Sequence, residues 1–514
     1  MQSQRILIVG TTSDYIDILR HKYPPKSLLF VTDPTIREKA SEERPDQDEE
    51  MLCELESQID IPQVVIKHLH RHIAIYGIIL NGVACFDCES MPLAAHIAAE
   101  FALSYPSIDA VMACRDKSLT RKLWQVNKIP TPRYERVNSA SQAVDFFHSV
   151  QGVNLLQNQR CTLSRKCLPC VLKPVDSSGS ERVFRCNTAD DCETAYEIIC
   201  KPQQSPDIII ETFEEGTEYS CDFIVGGTSD CKQTKLTDDP KHENYDNIVI
   251  PIRFTRKIPA PVSVFGTTMA YEIVDFPFEP FKGCSNRDHL SSVISENALL
   301  SLLGRAAKAL GITRSICMVD FIVSNNYVSN IIGDNVDCDE NINCGDNSFY
   351  NRDMINNHRI SLLEMAPRPG GDCLPWLIQK AMNIDILKLT LDFAGDKNFI
   401  LHKPISDKST VDKSTIDESS ISAFNRPFRY EPLVGLRIHS GQAGVLKSID
   451  TRIVESDSRV KEIFIKHKPG HRITLPPQNY DSWNLGHIIF KPFQEIPCKD
   501  QCIELLSMLK TEVV

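Results

Sequence analysis

The stretch Leu362-Leu363-Glu364-Met365-Ala366-Pro367-Arg368-Pro369-Gly370-Gly371-Asp372 is the most chemically informative part of this sequence. Glu364 closes an apolar strand, Arg368 follows four residues later, and Gly370 and Gly371 open the next helix. A carboxylate at a strand end can hold a hard cation such as Mg²⁺, which takes oxygen ligands. An arginine on the same turn can clamp a phosphoryl group and stabilise charge that develops during transfer. Paired glycines let backbone N–H groups approach an anion at a helix N-terminus. Together these residues point to phosphoryl transfer from a metal-bound nucleotide.

Such chemistry needs partners, and three other segments offer them. In Cys317-Met318-Val319-Asp320-Phe321 one acid sits inside an apolar strand. A buried carboxylate needs a cation, a partner or a proton, so Asp320 and Glu364 are candidates to converge on one Mg²⁺. In Val171 to Ser180, Lys173 ends a strand and a small-residue loop follows, suited to folding over phosphates. In Ile208 to Tyr219, Glu211 ends a strand and Glu218 begins the next, offering a hinge to an adenine edge and an acid to ribose hydroxyls. Alone, the last two are common surface patterns: a lysine–proline strand end and an acidic hairpin. Their order along one chain is what carries weight.

The elements that must position these residues follow from periodicity. Residues 1–115 alternate apolar strands (Ile6–Val9, Ser27–Thr32, Ile75–Leu80, Ala110–Ala113) with helices (Ser13–His21, Leu93–Leu103). That alternation predicts a parallel sheet covered on both faces, a Rossmann-like domain. Only Gly10 follows the first strand, so the glycine fingerprint for NAD is missing. From residue 116 the pattern predicts a helix over Lys117–Asn127, strands at Val171–Pro174, Ile208–Glu211 and Tyr219–Val225, a helix over Asn297–Leu310, and strands at Cys317–Val323 and Ile360–Met365. The segment 324–359, rich in Asn, Asp, Gly and Ser, reads as an inserted polar loop, and 406–427 as a flexible linker. Residues 428–514 read as a small β-rich domain.

With 514 residues the chain is expected to form several domains. A net charge of −12 argues against a nucleic-acid surface as the main function. No signal peptide and no run of about 18 apolar residues is visible, so a cytoplasmic protein without a membrane anchor is expected. The 19 cysteines are then expected to be reduced. Cys167 and Cys170 have zinc-ligand spacing, with Cys161 nearby, but no second pair completes a site, and Cys338 and Cys344 fare no better.

In order and type, Lys117, Lys173, the Ser177-Ser178-Gly179-Ser180 loop, Glu211, Glu218, Asp320, Glu364 and Arg368 resemble the ATP-grasp superfamily, from about residue 116 to 396. The Arg-Pro-Gly-Gly-Asp sequence looks most like the carboxylate–amine ligases that make dipeptides. This resemblance implies an α/β architecture: a Rossmann-like pre-ATP-grasp domain (1–115), a two-lobed ATP-grasp domain (116–405, lid about 130–225), and the C-terminal β-rich domain. It implies ATP and Mg²⁺, with Mn²⁺ able to substitute, and small carboxylate and amine substrates joined through an acyl phosphate. It also makes a homodimer plausible.

Residue by residue, the resemblance implies that Lys117 and Lys173 contact phosphates under a lid of Ser177, Ser178, Gly179 and Ser180. Glu211 with the backbone near Phe213 and Glu214 would bind adenine, and Glu218 ribose. Asp320 and Glu364 would hold Mg²⁺, Arg368 would stabilise the acyl phosphate, and Gly370 and Gly371 would help hold the carboxylate substrate. Two departures stand out. Ala366 replaces an asparagine usual two residues after the second acid, and Gly179-Ser180-Glu181-Arg182-Val183 lacks the usual Arg-Gly before the valine. The alternatives are a carboxylase of the biotin-carboxylase or carbamoyl-phosphate type, or an ATP-binding module without catalysis.

Overall fold

A computed structural model describes residues 3–10, 13–38, 44–55, 61–157, 168–177, 179, 181–201, 207–226, 248–260, 265–274, 296–324, 354–355, 358–395, 430–476, 478–479 and 481–514. Most of the polar insert and all of the linker lie outside them, as do Ser178, Ser180, Cys161, Cys167, Cys338 and Cys344. The architecture is mixed α/β. It combines one parallel sheet with antiparallel sheets.

The parallel sheet has four strands in the order Glu50–Leu52, Leu28–Thr32, Ser3–Val9, Ile78–Ala84. Helices Ile61–Tyr76 and Met91–Glu100 cover one face. The helix Ile386–Gly395 covers the other, through Leu387, Leu391 and Ala394. Sequence periodicity needs correcting at two places. Ala110–Ala113 is not a strand but the middle of a helix, Ile108–Arg115, capped by the Ser107 hydroxyl, which accepts the Ala110 N–H at 3.2 Å. A good cap and two alanines outweigh the short apolar run. The strand expected at Ile75–Leu80 begins only at Ile78, because Ile75 and Tyr76 end the preceding helix.

The central sheet has nine strands. Their order is Met354–Ile355, His358–Ala366, Ser315–Ser324, Thr217–Gly226, Ile248–Pro259, Thr268–Val274, Val434–His439, Asn484–Phe490, Val460–Ile465. All its pairings are antiparallel. The last three strands come from the C-terminal segment and add directly to the sheet, with Ala270 opposite Leu436. The helix Glu296–Ala309 packs Leu299, Leu302, Leu303 and Ala306 onto one face. A smaller sheet, Tyr134–Val137, Ile208–Thr212, Cys170–Pro174, Phe184–Cys186, is backed by helices Ala140–Gln157 and Ala189–Cys200. Among the described residues no helix is long and apolar enough to cross a membrane.

One glycine fixes how tightly the C-terminal strands pack. Gly486 has φ +147°, and a Cβ there would lie 2.0 Å from the Phe464 carbonyl oxygen. That oxygen is backbone and cannot swing away. Gly486→Ala is therefore expected to destabilise the fold by about 1–3 kcal/mol, the usual cost of overpacking. Urea unfolding measures this, and an unchanged midpoint would contradict the close approach.

Candidate active site

The antiparallel hairpin of Ser315–Ser324 and His358–Ala366 places Asp320 directly opposite Glu364. The pair closes a regular stretch of register that begins at Met318 and Ala366, and a register shift follows it between Asp320 and Phe321. Asp320 is buried, Glu364 open to the cleft. Burial pushes the Asp320 carboxyl up to about 7; Lys257 opposes this, while Glu364 and Glu218 add to it. Glu364 is held below the usual carboxylate range: desolvation works against ionisation, and Lys117, Lys257 and Lys173 outweigh it. Two adjacent carboxylates ionise together only when a cation joins them.

Lys257 is that cation here. Its Nζ contacts Asp320 Oδ2 and also donates to Glu218 Oε1 at 2.7 Å. Desolvation works against its charge, but Asp320 and Glu218 hold its pKa well above normal. Sequence reasoning missed Lys257. The available signal was the alternation Arg253-Thr255-Lys257 along one strand, which places three polar side chains on one sheet face.

Asp320 and Glu364 also suit a divalent metal. Asp320 Oδ1 is buried and has no hydrogen-bond partner among the described residues. Mg²⁺ commonly takes only one or two protein carboxylates and completes its shell with phosphate oxygens and water. Among the described residues no cluster of three or more metal-ligating side chains exists, so any metal here would rely on a nucleotide for further ligands.

Positive charge approaches from the other side. Lys117 begins the helix Lys117–Val126, which Asp116 caps by accepting the Leu119 N–H at 2.9 Å. The Lys117 ammonium donates to the carbonyls of Val175 and Ser177. Burial lowers its pKa to about 8, with Glu364 pulling the other way and Lys173 adding to the drop. Lys173 Nζ pairs with Glu211 Oε2 at 2.6 Å, and Arg121 Nε with Glu211 Oε1 at 2.7 Å. Burial raises the Glu211 pKa, yet Arg121 and Lys173 bring it down to about 2. The Glu211 carboxylate is thus occupied, and an adenine contact from this residue would have to be made by its backbone.

Beyond Glu211, the Phe213 N–H donates to the Pro169 carbonyl at 3.0 Å. The Phe213 ring lies 4.2 Å from the Arg185 guanidinium and 6.0 Å from the Phe265 ring. This groups two tilted aromatic rings and a guanidinium around Phe213, next to Glu214 in the chain. Of the expected lid, Ser177 and Gly179 are described, Gly179 with φ +60° and open space around its α-carbon.

Arg368 is not drawn to the two acids. Its Nε and Nη2 lie 3.1 and 2.8 Å from Cys88 Sγ at the edge of the parallel sheet, and its Nη1 donates to the Pro369 carbonyl at 2.7 Å. Desolvation works to lower its pKa, but Cys88 and Asp87 keep it firmly protonated. The two glycines divide their roles. The Gly370 N–H donates to Asp222 Oδ1 at 2.7 Å and is thus occupied within the protein. Gly371 has open space on its Cβ side, the nearest atom being Arg368 Nη1 at 3.8 Å.

Asp222 belongs to a second ion pair that the sequence did not reveal. Arg253 Nε pairs with its Oδ2 at 2.5 Å, and both side chains are fully buried between adjacent central strands. Arg253 also donates to the Ser220 carbonyl at 3.1 Å and to its hydroxyl at 3.2 Å, and it contacts Thr255 Oγ1. A Cβ on Gly370 would meet Leu374 Cδ1 at 2.6 Å and the buried Arg253 Nη2 at 2.9 Å, so the close approach favours glycine here. Past the loop, Asp372 adopts φ +58° and pairs with Arg437, while Asn484 donates to its Oδ1 at 3.2 Å.

Comparison with known proteins gives a consistent picture of the fold. No family model matches the chain. It is 21% identical over 141 residues to a D-alanine–D-alanine ligase of Acidovorax ebreus, covering 27% of this chain and 37% of that ligase. It is 25% identical over 122 residues to the corresponding ligase of Delftia acidovorans, covering 24% and 32%. The match therefore spans only about a third of those ligases. Among solved structures, an L-amino acid ligase from Bacillus licheniformis superposes with a TM-score of 0.62 at 15% identity over 100% of both chains. The biotin carboxylase domain of Hydrogenobacter thermophilus 2-oxoglutarate carboxylase, solved with MgADP, gives 0.58 at 12% identity, covering 99% of this chain and 91% of the other. A phosphoribosylglycinamide synthetase from Anaerococcus prevotii gives 0.52 at 15%, covering 99% and 100%.

The Asp222–Arg253 pair yields a stability prediction. Asp222→Ala leaves Arg253 buried without its partner and is expected to cost about 3–5 kcal/mol. Replacing both, as Asp222→Leu with Arg253→Met, is expected to recover most of that loss. Urea unfolding of the two variants checks it; equal losses would mean the pair is not the main interaction.

Proposed function

We propose that this chain, which has the ATP-grasp fold, is an ATP-dependent, ADP-forming carboxylate–amine ligase. The observation that carries the reading is the opposed Asp320–Glu364 pair, faced by the ammonium groups of Lys117, Lys173 and Lys257. Likeness to an L-amino acid ligase along the whole chain supports amino acids as substrates, as do the partial matches to D-alanine–D-alanine ligases.

In this reading Lys117 and Lys173 meet the phosphate charge of ATP, and the Phe213 segment receives its base. Asp320 and Glu364 hold Mg²⁺, which when bound neutralises phosphate charge and lets both acids ionise together. Lys257 then shifts from Asp320 towards the transferring phosphoryl group, keeping Glu218 as its second partner. The substrate carboxylate attacks the γ-phosphorus, giving an acyl phosphate and ADP. Gly371 and Arg368 face the acyl group, with Arg368 leaving Cys88 to stabilise developing negative charge. The amine then attacks the acyl carbon and expels phosphate. The protein contributes mainly positioning, electrostatics and exclusion of water.

Phosphate release from MgATP across a matrix of amino acids, with mass spectrometry of the products, tests the reading. Amine-dependent release and a product mass equal to both substrates minus water are expected. The comparable TM-score of a biotin carboxylase domain, 0.58, favours bicarbonate as a second candidate acid, so it belongs in the matrix. MgATP binding with no turnover from any pair would leave a binding module instead. Glu364→Gln and Arg368→Ala are each expected to lower turnover at least about a hundredfold, as loss of a charge-stabilising group does. Full activity in either variant would remove that residue from the mechanism.

The pH dependence of nucleotide binding follows from Lys117. Its protonated form attracts phosphate, and its pKa lies at about 8 in the free protein. MgADP affinity is therefore expected to rise as Asp320 ionises near pH 7 and to fall above pH 8 as Lys117 loses its proton, by up to about tenfold per pH unit. Titrations between pH 6.5 and 9.5 measure this, and Lys117→Met should flatten the fall above pH 8 while weakening binding below it.

A further inference from the structure

We infer that Arg121 is a positioning residue that lets Lys173 leave Glu211 for a nucleotide phosphate. The inference rests on the ATP-site reading above and deepens it. Glu211 is one carboxylate with two cations, one on each oxygen: Arg121 at 2.7 Å and Lys173 at 2.6 Å. A single cation neutralises it, so the second is in excess. The two cations differ in what they can do. Lys173 keeps 12% of its side chain exposed on a flexible stem, whereas Arg121 is wholly buried and cannot reach a ligand. Neither terminal nitrogen of Arg121 has a hydrogen-bond partner among the described residues, and its guanidinium lies 5.7 Å from the Trp124 ring. A guanidinium buried with most of its donors unused contributes charge rather than hydrogen bonding.

The consequence is an exchange of partners. In the free protein Lys173 rests on Glu211. When phosphate arrives, Lys173 moves to it, and Arg121 still neutralises Glu211, which stays ionised inside the protein. Without Arg121, departure of Lys173 would strand a bare buried carboxylate, and Glu211 would take a proton from solvent instead. The other groups facing Glu211 do not substitute. Lys117 lies on the same helix as Arg121 but points to the Val175 and Ser177 carbonyls. Tyr134, opposite Glu211 on the neighbouring strand, is neutral.

Calorimetric titration of the full chain with MgADP at pH 6.5, in buffers of different ionisation enthalpy, counts protons taken up on binding. Asp320 and Lys117 contribute equally to wild type and variant, so the difference between the two is the readout. Arg121→Met is expected to take up close to one more proton per nucleotide than wild type. Its affinity should rise as pH falls, approaching tenfold per unit relative to wild type, and adding Glu211→Gln should abolish the extra proton. Arg121→Lys, which keeps the charge, should behave as wild type. If the Met variant fails to fold, Arg121→Gln gives the same comparison. Weaker binding at every pH with no added proton would mean a merely structural role and would overturn the inference. No MgADP binding by wild type would instead defeat the ATP-site reading, leaving a distinct signature.

Discussion

The Asp222–Arg253 ion pair is the constraint on which the rest of the site depends. Two opposite charges lie in the middle of the nine-stranded sheet with no access to water. A pair so buried is tolerated only when its remaining donors and acceptors are satisfied. Here Ser220 and Thr255 take up most of the guanidinium, and the carboxylate's other oxygen takes the Gly370 N–H. Satisfying the pair therefore requires the loop to come close, and glycine at 370 leaves room for that approach. Packing below the cleft fixes the backbone above it, between Arg368 and Asp372. The chemistry of a surface loop is thus tied to the most rigid part of the fold.

From that base the cleft is wired by alternating charge. Glu218, Lys257 and Asp320 form one run, and Lys173, Glu211 and Arg121 another, with Glu364 and Lys117 between them. Every buried acid in these runs has a cation within contact distance, and two of those cations are lysines. A lysine trades one anion for another more readily than the planar, multiply bonded arginine does. The cleft is therefore internally neutralised yet able to exchange partners. The fixed arginines, Arg121 and Arg253, hold what must not move.

The sequence conveyed the fold well where periodicity was strong and local. The strands bearing Lys173, Glu211, Asp320 and Glu364 follow from apolar runs with polar punctuation, and they lie within a residue or two of where the pattern puts them. It failed at Ile108–Arg115, where a serine cap made a helix of four residues that read as a strand. It failed also to reveal Asp222, Arg253, Lys257 and Arg121 as site residues. Each is a charge in a strand or helix that no short motif marks, and each gains meaning only from a partner 31 to 90 residues away in the chain. Ordinary motifs report neighbours in sequence; these residues are neighbours only across strands. Gly370 shows the reverse case: the motif singles the residue out but does not tell that its N–H faces inward to Asp222.

The C-terminal strands bear on how the molecule is made. Arg437 and Asn484 hold Asp372, and Val434–His439 links the C-terminal strands to Thr268–Val274. During synthesis, the Arg-Pro-Gly-Gly loop emerges from the ribosome more than a hundred residues before the last of the groups that fix it. A nascent chain could complete the Asp320–Glu364 hairpin while the adjoining loop was still untethered. Such late, long-range closure is slow to form. It also means that the two acids and the adjoining loop mature at different times, so a growing chain acquires its charge arrangement before the loop beside it is fixed.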